Sequence, residues 1–598
     1  METNTEIKSL LRGGEFLVKE SKYQDIFTPS DLDEEQLMIL QATNDFLDNE
    51  VMPKRDRIEV QEEGVTTSLL EQSGELGLLG MAVPEEFGGL GKDFNTNSII
   101  VEAMARARSF TLSWGAHVGI GTLPIVYFGN QEQKEKYLPK LASGELKASY
   151  CLTEPGSGSD ALGAKTRADL TEDGKYYVLN GQKMWITNAG FADIFIVFAK
   201  INGEQFTGFI VEKTMEGLSL GAEEQKMGIK GSSTRQVFLE NVKVPVENLL
   251  GEPGKGHLIA FNILNIGRYK LAAGSLGASK DVLRQAAVYA NERQQFKTPI
   301  ANFGAIQYKL AEMAIQTYAL ESACYRASDK IDNYEKKLLA EGKDFSAAIL
   351  GAADEYAIEC AFLKVHGSEV LDYCVDEAVQ IHGGMGFSEE TQVAGAYRDA
   401  RINRIFEGTN EINRLLTVDQ LLKRAMAGKI DMMSAAMAVQ KELMSVPDFG
   451  AGEDEGVLTN ELKAVRNIKK AILLVAGAAV QKLTTKLKHE QEILMNIADM
   501  IIDLYAAESS VLRLQKKIDT VGEQAAEIEI QIVKTFISDA VERVNINGKH
   551  ALQSFAEGDE LRMMLMGLKR YTKLDPFNTK NARRAIAAKV SEDQGYKF

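Results

Sequence analysis

An internal stretch, residues 150–244, most constrains how this chain can fold, because its pattern is β-rich while the sequence on both sides is helical. Its β-branched and aromatic runs lie at residues 176–179, 194–198, 207–211 and 236–239. The turn sequences Glu172-Asp-Gly174, Asn180-Gly181 and Asn202-Gly203 separate these runs. Short β-type runs between Gly, Asn and Asp turns are typical of a compact all-β domain. The pattern therefore predicts a β domain between helical ones.

Helical periodicity covers most of the remaining sequence. Apolar residues recur at helical spacing in residues 32–51, 97–108, 259–291, 303–334 and 459–547. At 598 residues the chain is too long for one core. We predict a multidomain α+β fold with an N-terminal helical domain (1–149), a middle β-barrel or sandwich domain (150–255), a helical bundle domain (256–425) and an additional C-terminal helical domain (459–598). The Gly-rich, acidic sequence at 446–456 predicts a linker over 426–458.

Charge and cysteine content argue against several classes of protein. A net charge of −17 disfavours nucleic-acid binding, which needs clustered positive charge. Four widely spaced cysteines without a CxxC pair predict neither a disulfide framework nor a metal site. The N-terminus has neither the apolar core of a secretory signal nor an Arg-rich transit pattern, and the longest apolar run, residues 471–480, is too short to span a bilayer. We expect a cytoplasmic protein of bacterial type.

Two loop sequences in the β domain are candidate cofactor contacts. Tyr150-Cys-Leu-Thr-Glu-Pro-Gly-Ser-Gly-Ser-Asp160 has glycines and hydroxyls that suit close approach of the backbone to a ring or a pyrophosphate. It matches neither the dinucleotide fingerprint nor the P-loop, and the alternative is a plain tight loop. In Met184-Trp-Ile-Thr-Asn188, Trp185 is a candidate to stack on a planar cofactor and Thr187 to hydrogen-bond its edge. The alternative is that Trp185 belongs to the core.

One carboxylate in an apolar setting is the candidate base. Glu407 follows Ile405 and Phe406 and precedes Gly408. Apolar neighbours desolvate a carboxylate, which raises its pKa and makes it a better base. The alternative is an ordinary surface Glu-Gly pair. His382 has no acidic or metal partner nearby in the sequence, and we assign it a structural role.

These segments occur together and in order, and with them the chain resembles the acyl-CoA dehydrogenase family, flavoproteins that introduce the α,β-double bond into fatty acyl-CoA. The resemblance covers residues 32–422. Its motifs are the loop at 150–160, Met184-Trp-Ile-Thr-Asn188, Gln380-Ile-His-Gly-Gly384 and Ile405-Phe-Glu-Gly-Thr409. Three further features resemble the very-long-chain branch of the family: the long C-terminal addition, the segment Lys226-Met-Gly-Ile-Lys230 and the segment Leu264-Asn-Ile-Gly-Arg268.

The resemblance implies FAD as the cofactor and a role for each matching residue. Glu407 matches the base that removes the α-proton of the substrate, while FAD takes the β-hydride. The positions that match contacts to FAD are Tyr150, Leu152, Thr153, Gly158, Ser159, Trp185, Ile186, Thr187, Thr409 and Glu411. The positions that match residues reaching a neighbouring subunit's FAD are Arg293, Phe296, Gln380, Gly383 and Gly384. The substrate positions are Ser159, Leu264, Asn265, Arg268 and Gly408, with Ser159 and Arg268 near the CoA moiety.

The resemblance also implies the reaction and its partners. It predicts conversion of long-chain fatty acyl-CoA to trans-2-enoyl-CoA, the first step of fatty-acid β-oxidation, in a homodimer that passes electrons to an electron-transferring flavoprotein. Two alternatives stay open: an acyl-CoA oxidase of the same fold, and an assembly or scaffold relative with reduced activity.

Three positions depart from the commonest family patterns. Asn265 stands where medium-chain relatives carry an acid, and Lys297 stands where glycine is usual. Gly267 stands where a minority of the family carries its base. Glycine cannot act as a base, which favours Glu407.

Two further sequences bear on substrate length and location. Gly115, Gly119 and Gly121 lie in a helical region that resembles the end of the family's acyl pocket, and they predict either a deep channel for long chains or close helix packing. Residues 462–488 combine an apolar helical face with several lysines. This pattern predicts either peripheral contact with an anionic membrane or, as we favour, a domain helix with a solvated basic face.

Overall fold

The computed structural model describes residues 10–445 and 456–598. Before the sheet, the chain is helical, as the sequence predicts. Helix α1 begins at Glu34 because the Asp33 carboxylate accepts a hydrogen bond from the Gln36 backbone N–H at 2.8 Å. The helices are α1 Glu34–Phe46, α2 Arg55–Glu59, α3 Val65–Glu75, α4 Phe94–Met104, α5 Ser109–Ala116, α6 Leu123–Phe128 and α7 Gln131–Ser143.

The middle domain is one sheet of eight strands in the order β6-β7-β3-β2-β4-β5-β8, with β1 parallel to β4. The predicted β runs lie within β3, β4, β5 and β7. The short strands β1, β2, β6 and β8 were not predicted, because strands this short carry too few residues for alternation to show. The strands are β1 Ala148–Cys151, β2 Arg167–Leu170, β3 Tyr176–Thr187, β4 Ile194–Ile201, β5 Gln205–Glu212, β6 Leu218–Glu223, β7 Thr234–Pro245 and β8 Leu249–Leu250.

A helical bundle follows the sheet, and its first helix begins at Gly256. Helix α8 packs along α11 and α9, and α11 packs against α14. The elements are α8 Gly256–Glu292, the hairpin strands β9 Gln294–Gln295 and β10 Thr298–Pro299, α9 Gly304–Ala340, α10 Phe345–Glu355, α11 Ala357–His382, α12 Gly384–Phe387, α13 Gln392–Ala400 and α14 Asn410–Met426.

The predicted linker contains a helix, α15 Met432–Met444, which buries Met432 and Val439 and packs against α16. Its methionine and alanine content favours helix, and Asp431 caps it by accepting from the Ser434 N–H at 3.2 Å. The acidic core of that linker, residues 446–455, lies outside the described residues. The remaining helices are α16 Thr459–Leu483, α17 Gln491–Val521, α18 Glu527–Gln553, α19 Gly558–Tyr571 and α20 Thr579–Asp593.

Buried ion pairs join the C-terminal domain to the bundle. Arg326 of α9 pairs with Glu508 of α17 at 2.7 Å, and Glu321 of α9 pairs with Arg513 at 2.5 Å. Each of these side chains is nearly inaccessible to solvent, so loss of one partner would leave a buried charge uncompensated. Within residues 10–445 and 456–598, no helix has the length and apolar character needed to cross a bilayer.

Candidate active site

Glu407 lies on a short connection between the 3₁₀ turn Arg401–Arg404 and helix α14. The connection is sharply bent, with φ of +59° at Glu407 and +82° at Gly408. Glycine is required at 408, because a Cβ in this left-handed conformation is strained and would lie 3.2 Å from Asn413 Nδ2. Thr409 then caps α14 by accepting from the Ile412 N–H at 3.3 Å. The bend turns the Glu407 side chain towards α8.

The Glu407 carboxylate is electrostatically unusual. Its Oε2 atom is buried and has no hydrogen-bond partner among the described residues. Burial raises the pKa of Glu407 to about 7, although the positive charges of Arg268 and Lys364 act to lower it. Such a carboxylate is neutral and ionised in comparable amounts near pH 7, which suits a general base.

Helix α8 supplies the wall against which this carboxylate lies. A Cβ at Gly267 would be 2.9 Å from Glu407 Oε2, so the glycine makes the room that the carboxylate occupies. Arg268 is buried and donates from Nε to the Glu407 carbonyl at 3.2 Å and from Nη1 to Asn265 Oδ1 at 2.8 Å. The contacts of Arg268 are thus with the base segment, whereas the family resemblance places it near the CoA nucleotide. Leu264 is half-buried on the same helix.

Sequence analysis missed two residues of this group, Lys364 and Asn413. Lys364 of α11 donates to the Gly408 carbonyl at 2.7 Å, and Asn413 Nδ2 donates to the same carbonyl at 2.8 Å. Lys364 had a recognisable signal, because it is a charged residue inside the apolar run Ala-Phe-Leu-Lys-Val. Such a position places a cation in the protein interior, where it needs partners.

The loop at 150–160 begins at the end of β1. Tyr150 is buried, its hydroxyl has no partner among the described residues, and burial together with the charge of Glu407 raises its pKa. The loop is anchored by a buried ion pair between Glu154 and Lys183 at 2.7 Å. Gly158 and Ser159 are exposed beyond this anchor, and a Cβ at Gly158 would meet open space. The anchored loop therefore presents open backbone, as a cofactor-binding loop requires.

Trp185 is not a core residue. Its side chain is 60% exposed, and its φ of +56° is rare for a bulky residue. The strand shifts register between Lys183 and Ile186, so Ile186 turns into the sheet core and has only its backbone to offer a cofactor. The backbone N–H of Met184 donates to the Thr153 carbonyl at 2.9 Å, which brings the two predicted loops together. Lys183 also donates to the Leu152 carbonyl, and Ser149 to the Thr187 carbonyl.

A second exposed group lies at the ends of α8 and α11. Phe296 is 89% exposed in the hairpin after α8, and Arg293 and Gln380 are also exposed. A Cβ at Gly383 or Gly384 would meet open space. No hydrogen bond or ion pair within the described ranges connects this group to Glu407 or Trp185.

His382 has the structural role that the sequence suggested. Its ring stacks on Tyr289 with centroids 4.1 Å apart, and its Nδ1 lies 2.7 Å from the Ala378 carbonyl. The Tyr289 hydroxyl donates to the His382 carbonyl at 3.2 Å. These contacts join the ends of α8 and α11 and thereby hold the exposed group in place.

The glycines at 115–121 divide between the two predicted roles. Gly119 is buried, yet a Cβ there would meet nothing within 4 Å, so open space adjoins it inside the protein. Gly115 likewise faces open space. A Cβ at Gly121 would instead lie 2.8 Å from the Ala148 Cβ, which is close packing against β1. Open space thus adjoins Gly115 and Gly119, as a channel would require, whereas Gly121 packs closely against β1, and the channel itself stays a prediction.

The lysines of α16 are largely engaged in ion pairs. Lys469 is buried and pairs with Glu508 at 2.5 Å, Lys470 pairs with Glu442 at 2.9 Å, and Lys482 pairs with Glu560 at 2.8 Å. The helix is therefore a packed domain helix, as in the alternative that we favoured, but most of its lysines are paired with acidic residues and do not form a free basic face. Contact of the C-terminal domain with a membrane stays a prediction.

Comparisons with known proteins agree with this architecture. Acyl-CoA dehydrogenase family models match residues 33–145 (N-terminal domain), 149–242 (middle domain), 254–422 and 467–570 (both C-terminal domain). A probable acyl-CoA dehydrogenase of Bacillus subtilis is 51% identical, covering 98% of each chain. The human mitochondrial very long-chain specific acyl-CoA dehydrogenase is 38% identical over 88% of this chain and 81% of its own. The crystal structure of an acyl-CoA dehydrogenase complexed with FAD from Bacillus anthracis superposes with a TM-score of 0.95, at 51% identity, covering 98% of this chain and 100% of that one.

FAD is bound in the Bacillus anthracis enzyme, and the residues present here fit this cofactor. An exposed tryptophan beside an anchored loop with open glycines offers a surface for a planar ring, and the Tyr150 hydroxyl, which has no partner among the described residues, marks a polar position near Glu407. Each of the four domains matches a domain of these flavoenzymes in chain order. Because a nearly full-length fold match at 51% identity accompanies them, this chain belongs to the acyl-CoA dehydrogenase family.

Proposed function

We propose that this enzyme converts long-chain fatty acyl-CoA to trans-2-enoyl-CoA, the first step of fatty-acid β-oxidation, with Glu407 as the base. The observation that carries the proposal is the buried, unpartnered Oε2 of Glu407, whose pKa is raised to about 7. A carboxylate without a protein partner has an oxygen free for a substrate proton. Because its pKa is raised, the pKa of Glu407 is closer to that of the weakly acidic α-C–H bond, which makes the carboxylate a better base.

The residues around Glu407 support proton removal from a thioester. Ionised Glu407 takes the α-proton, and negative charge then develops on the thioester carbonyl oxygen. A hydrogen-bond donor aimed at that oxygen contributes about 3 kcal/mol to such a step. The Glu407 backbone N–H donates no hydrogen bond to any described residue, so it is available as that donor. FAD, when bound, accepts the hydride from the β-carbon.

The two exposed groups support a shared cofactor site in a homodimer. Leu152, Thr153, Trp185 and Thr187 would hold FAD within one subunit, with Tyr150, Gly158, Ser159, Ile186, Thr409 and Glu411 at the flanking positions that match the family. Arg293, Phe296, Gln380, Gly383 and Gly384 would complete the FAD site of the neighbouring subunit. An 89%-exposed phenylalanine is costly in water, which favours its burial against a second copy.

The preference for long acyl chains is supported by the open space beside Gly119. A buried glycine that faces a void loses packing contacts and lowers helix stability, which favours the interpretation that a ligand fills the space. An extended acyl chain is an apolar occupant of suitable shape. Leu264, Asn265, Arg268 and Gly408 lie around the base, where the reacting end of the substrate would bind.

An electron-transferring flavoprotein is the acceptor that the family resemblance supports. The acyl-CoA oxidase alternative differs only in how the cofactor is re-oxidised, and release of hydrogen peroxide during turnover would identify it. The scaffold alternative is disfavoured by the retained Glu407, Trp185 and Arg293. A purified protein without flavin absorbance would support it.

The test is anaerobic titration of the purified enzyme with acyl-CoAs of graded length, measured as bleaching of flavin absorbance. We expect the wild type to bleach with long acyl chains and the variant Glu407→Gln, which retains shape and hydrogen bonding but cannot accept a proton, to bleach at least about 1000-fold more slowly. The variant should still contain FAD. Bleaching of Glu407→Gln at the wild-type rate would show that another residue is the base.

A further inference from the structure

We propose that Lys364 is a positioning residue for the reaction: it holds the backbone of the Glu407–Gly408 segment so that the carboxylate faces the substrate. This inference rests on the proposed role of Glu407 as the base. It adds a residue from a different helix, which none of the family motifs in the sequence contains.

The contacts of Lys364 are directed at the base segment. The side chain is completely buried, and its Nζ donates to the Gly408 carbonyl at 2.7 Å and to Asn410 Oδ1 at 2.8 Å. Asn410 is in turn held by Ser368, with Asn410 Nδ2 donating to Ser368 Oγ at 3.0 Å. Lys364 thus connects the residues on both sides of Thr409 to helix α11.

The backbone that Lys364 holds is strained and needs support. Glu407 and Gly408 both have positive φ, and a left-handed conformation at a non-glycine residue persists only where the surroundings enforce it. Arg268 and Asn413 also bond this segment, at the Glu407 and Gly408 carbonyls. Lys364 differs from Asn413 in carrying a charge, and from Arg268 in bonding the residue after the base.

Lys364 also lacks the partner that a buried lysine usually has. Within the described residues it forms no salt bridge, and both of its acceptors are uncharged oxygens. A buried ammonium without a carboxylate partner is expensive. The charged groups that face it are Glu407, Arg268, Glu411 and Glu369, and those that face Glu407 are Arg268, Lys364 and the Tyr150 phenol. Burial lowers the pKa of Lys364 to about 8, and the negative charge of Glu407 opposes that fall.

The test compares Lys364→Met, Lys364→Gln and Lys364→Arg in the FAD-containing enzyme. For each, the rate of flavin reduction by a long-chain acyl-CoA is measured anaerobically from pH 6 to pH 9. We expect the neutral variants to be about 100-fold slower at pH 7, because a small displacement of a base has effects of this size. The acid limb of their pH–rate profiles should move to higher pH by about one unit, because these variants lack the cation that favours ionised Glu407. Lys364→Arg, which keeps the charge, should retain the wild-type limb.

Lys469→Met is the matched control. Lys469 is also buried and also donates to a backbone carbonyl, that of Lys19 at 2.7 Å, but it lies at the contact with the C-terminal domain. We expect this variant to lower the melting temperature without moving the pH limb. A purely structural role for Lys364 predicts the same behaviour for its variants. If Lys364→Met retains no FAD, Lys364→Gln, which keeps a neutral donor, gives the decisive comparison.

Two results would separate the possible failures. If Glu407→Gln is inactive while both neutral Lys364 variants keep the wild-type rate and pH limb, the positioning role is wrong and the proposed function stands. If Glu407→Gln reduces the flavin at the wild-type rate, the proposed base is wrong, and the role of Lys364 with it. A shifted limb in Lys364→Arg equal to that in Lys364→Met would also overturn the proposal.

Discussion

At the residue scale, the reactivity of Glu407 results from opposing electrostatic effects. Burial raises its pKa, while Arg268 and Lys364 limit the rise to a value of about 7. The apolar neighbours Ile405 and Phe406 allowed the raised pKa to be predicted from sequence. The two cations were not predictable as neighbours, because they come from α8 and α11, which no local pattern connects to residue 407.

The raised pKa of Glu407 predicts how stability depends on pH. The folded state binds this proton more tightly than the unfolded state, so ionisation destabilises the fold as pH rises from the ordinary value of 4.5 through about 7. Glu407→Gln removes this titration. We therefore expect the variant to gain stability over wild type between pH 5.5 and pH 8, by roughly 2 kcal/mol, in urea unfolding of the FAD-containing enzyme. A difference that does not change with pH would contradict the raised pKa.

By the same ionisation, kcat/KM of the wild type should rise with pH and level off above about pH 7.

At the scale of elements, irregularities place the functional groups. Strict alternation continued from the buried Leu179 and Lys183 would turn Trp185 inward, but the register shift in β3 turns Trp185 outward and Ile186 inward. A π-helical turn, His117–Gly121, follows α5 and contains both Gly119 and Gly121. Such turns frequently mark functional sites. Which glycine faces a void depends on the position of β1, an element too short to predict.

Substitution within this π-helical turn should alter chain-length preference. Gly119→Leu would fill the open space, and we expect the rate with a sixteen-carbon acyl-CoA to fall roughly tenfold relative to an eight-carbon one. Gly121→Ala is the control, because its Cβ would clash with Ala148. That variant should lower the melting temperature and leave the ratio of rates unchanged. An unaltered ratio in Gly119→Leu would mean that the acyl chain does not reach this space.

At the scale of the whole molecule, the C-terminal domain is locked to the bundle by charge pairs rather than presenting a basic face. Lys469 and Arg326 share Glu508, so one of the lysines that suggested membrane contact is buried between domains. The exposed apolar surface of this domain lies elsewhere. It is a groove of about 2240 Å³ lined by α14, α15, α16 and α19, with Met426, Met433, Met444, Met563 and Met566 exposed at its edges.

The positions of the paired lysines and the exposed methionines change the expected result of a membrane assay. If the domain contacts anionic vesicles, the methionines rather than the lysines should provide the contact, because paired charges are not available to lipid. We expect Met563→Glu with Met566→Glu to reduce co-sedimentation with vesicles several-fold and Lys470→Gln, at a lysine paired with Glu442, to leave it unchanged. Absence of the wild-type enzyme from the vesicle pellet would end the membrane prediction.

The sequence by itself determined the order of helical and β domains, and it pointed to Glu407 as the proposed base and to the loops that resemble a flavin site. These depend on periodicity, turn residues and motifs, which are local properties of the chain. Only the tertiary structure decided that Gly267 makes room for the Glu407 carboxylate, that Lys364 supports its backbone, and that Gly119 and Gly121 have different roles. Each of these depends on which distant elements pack together. That choice is made by the burial of whole faces, such as α8 against α11, and not by any short segment.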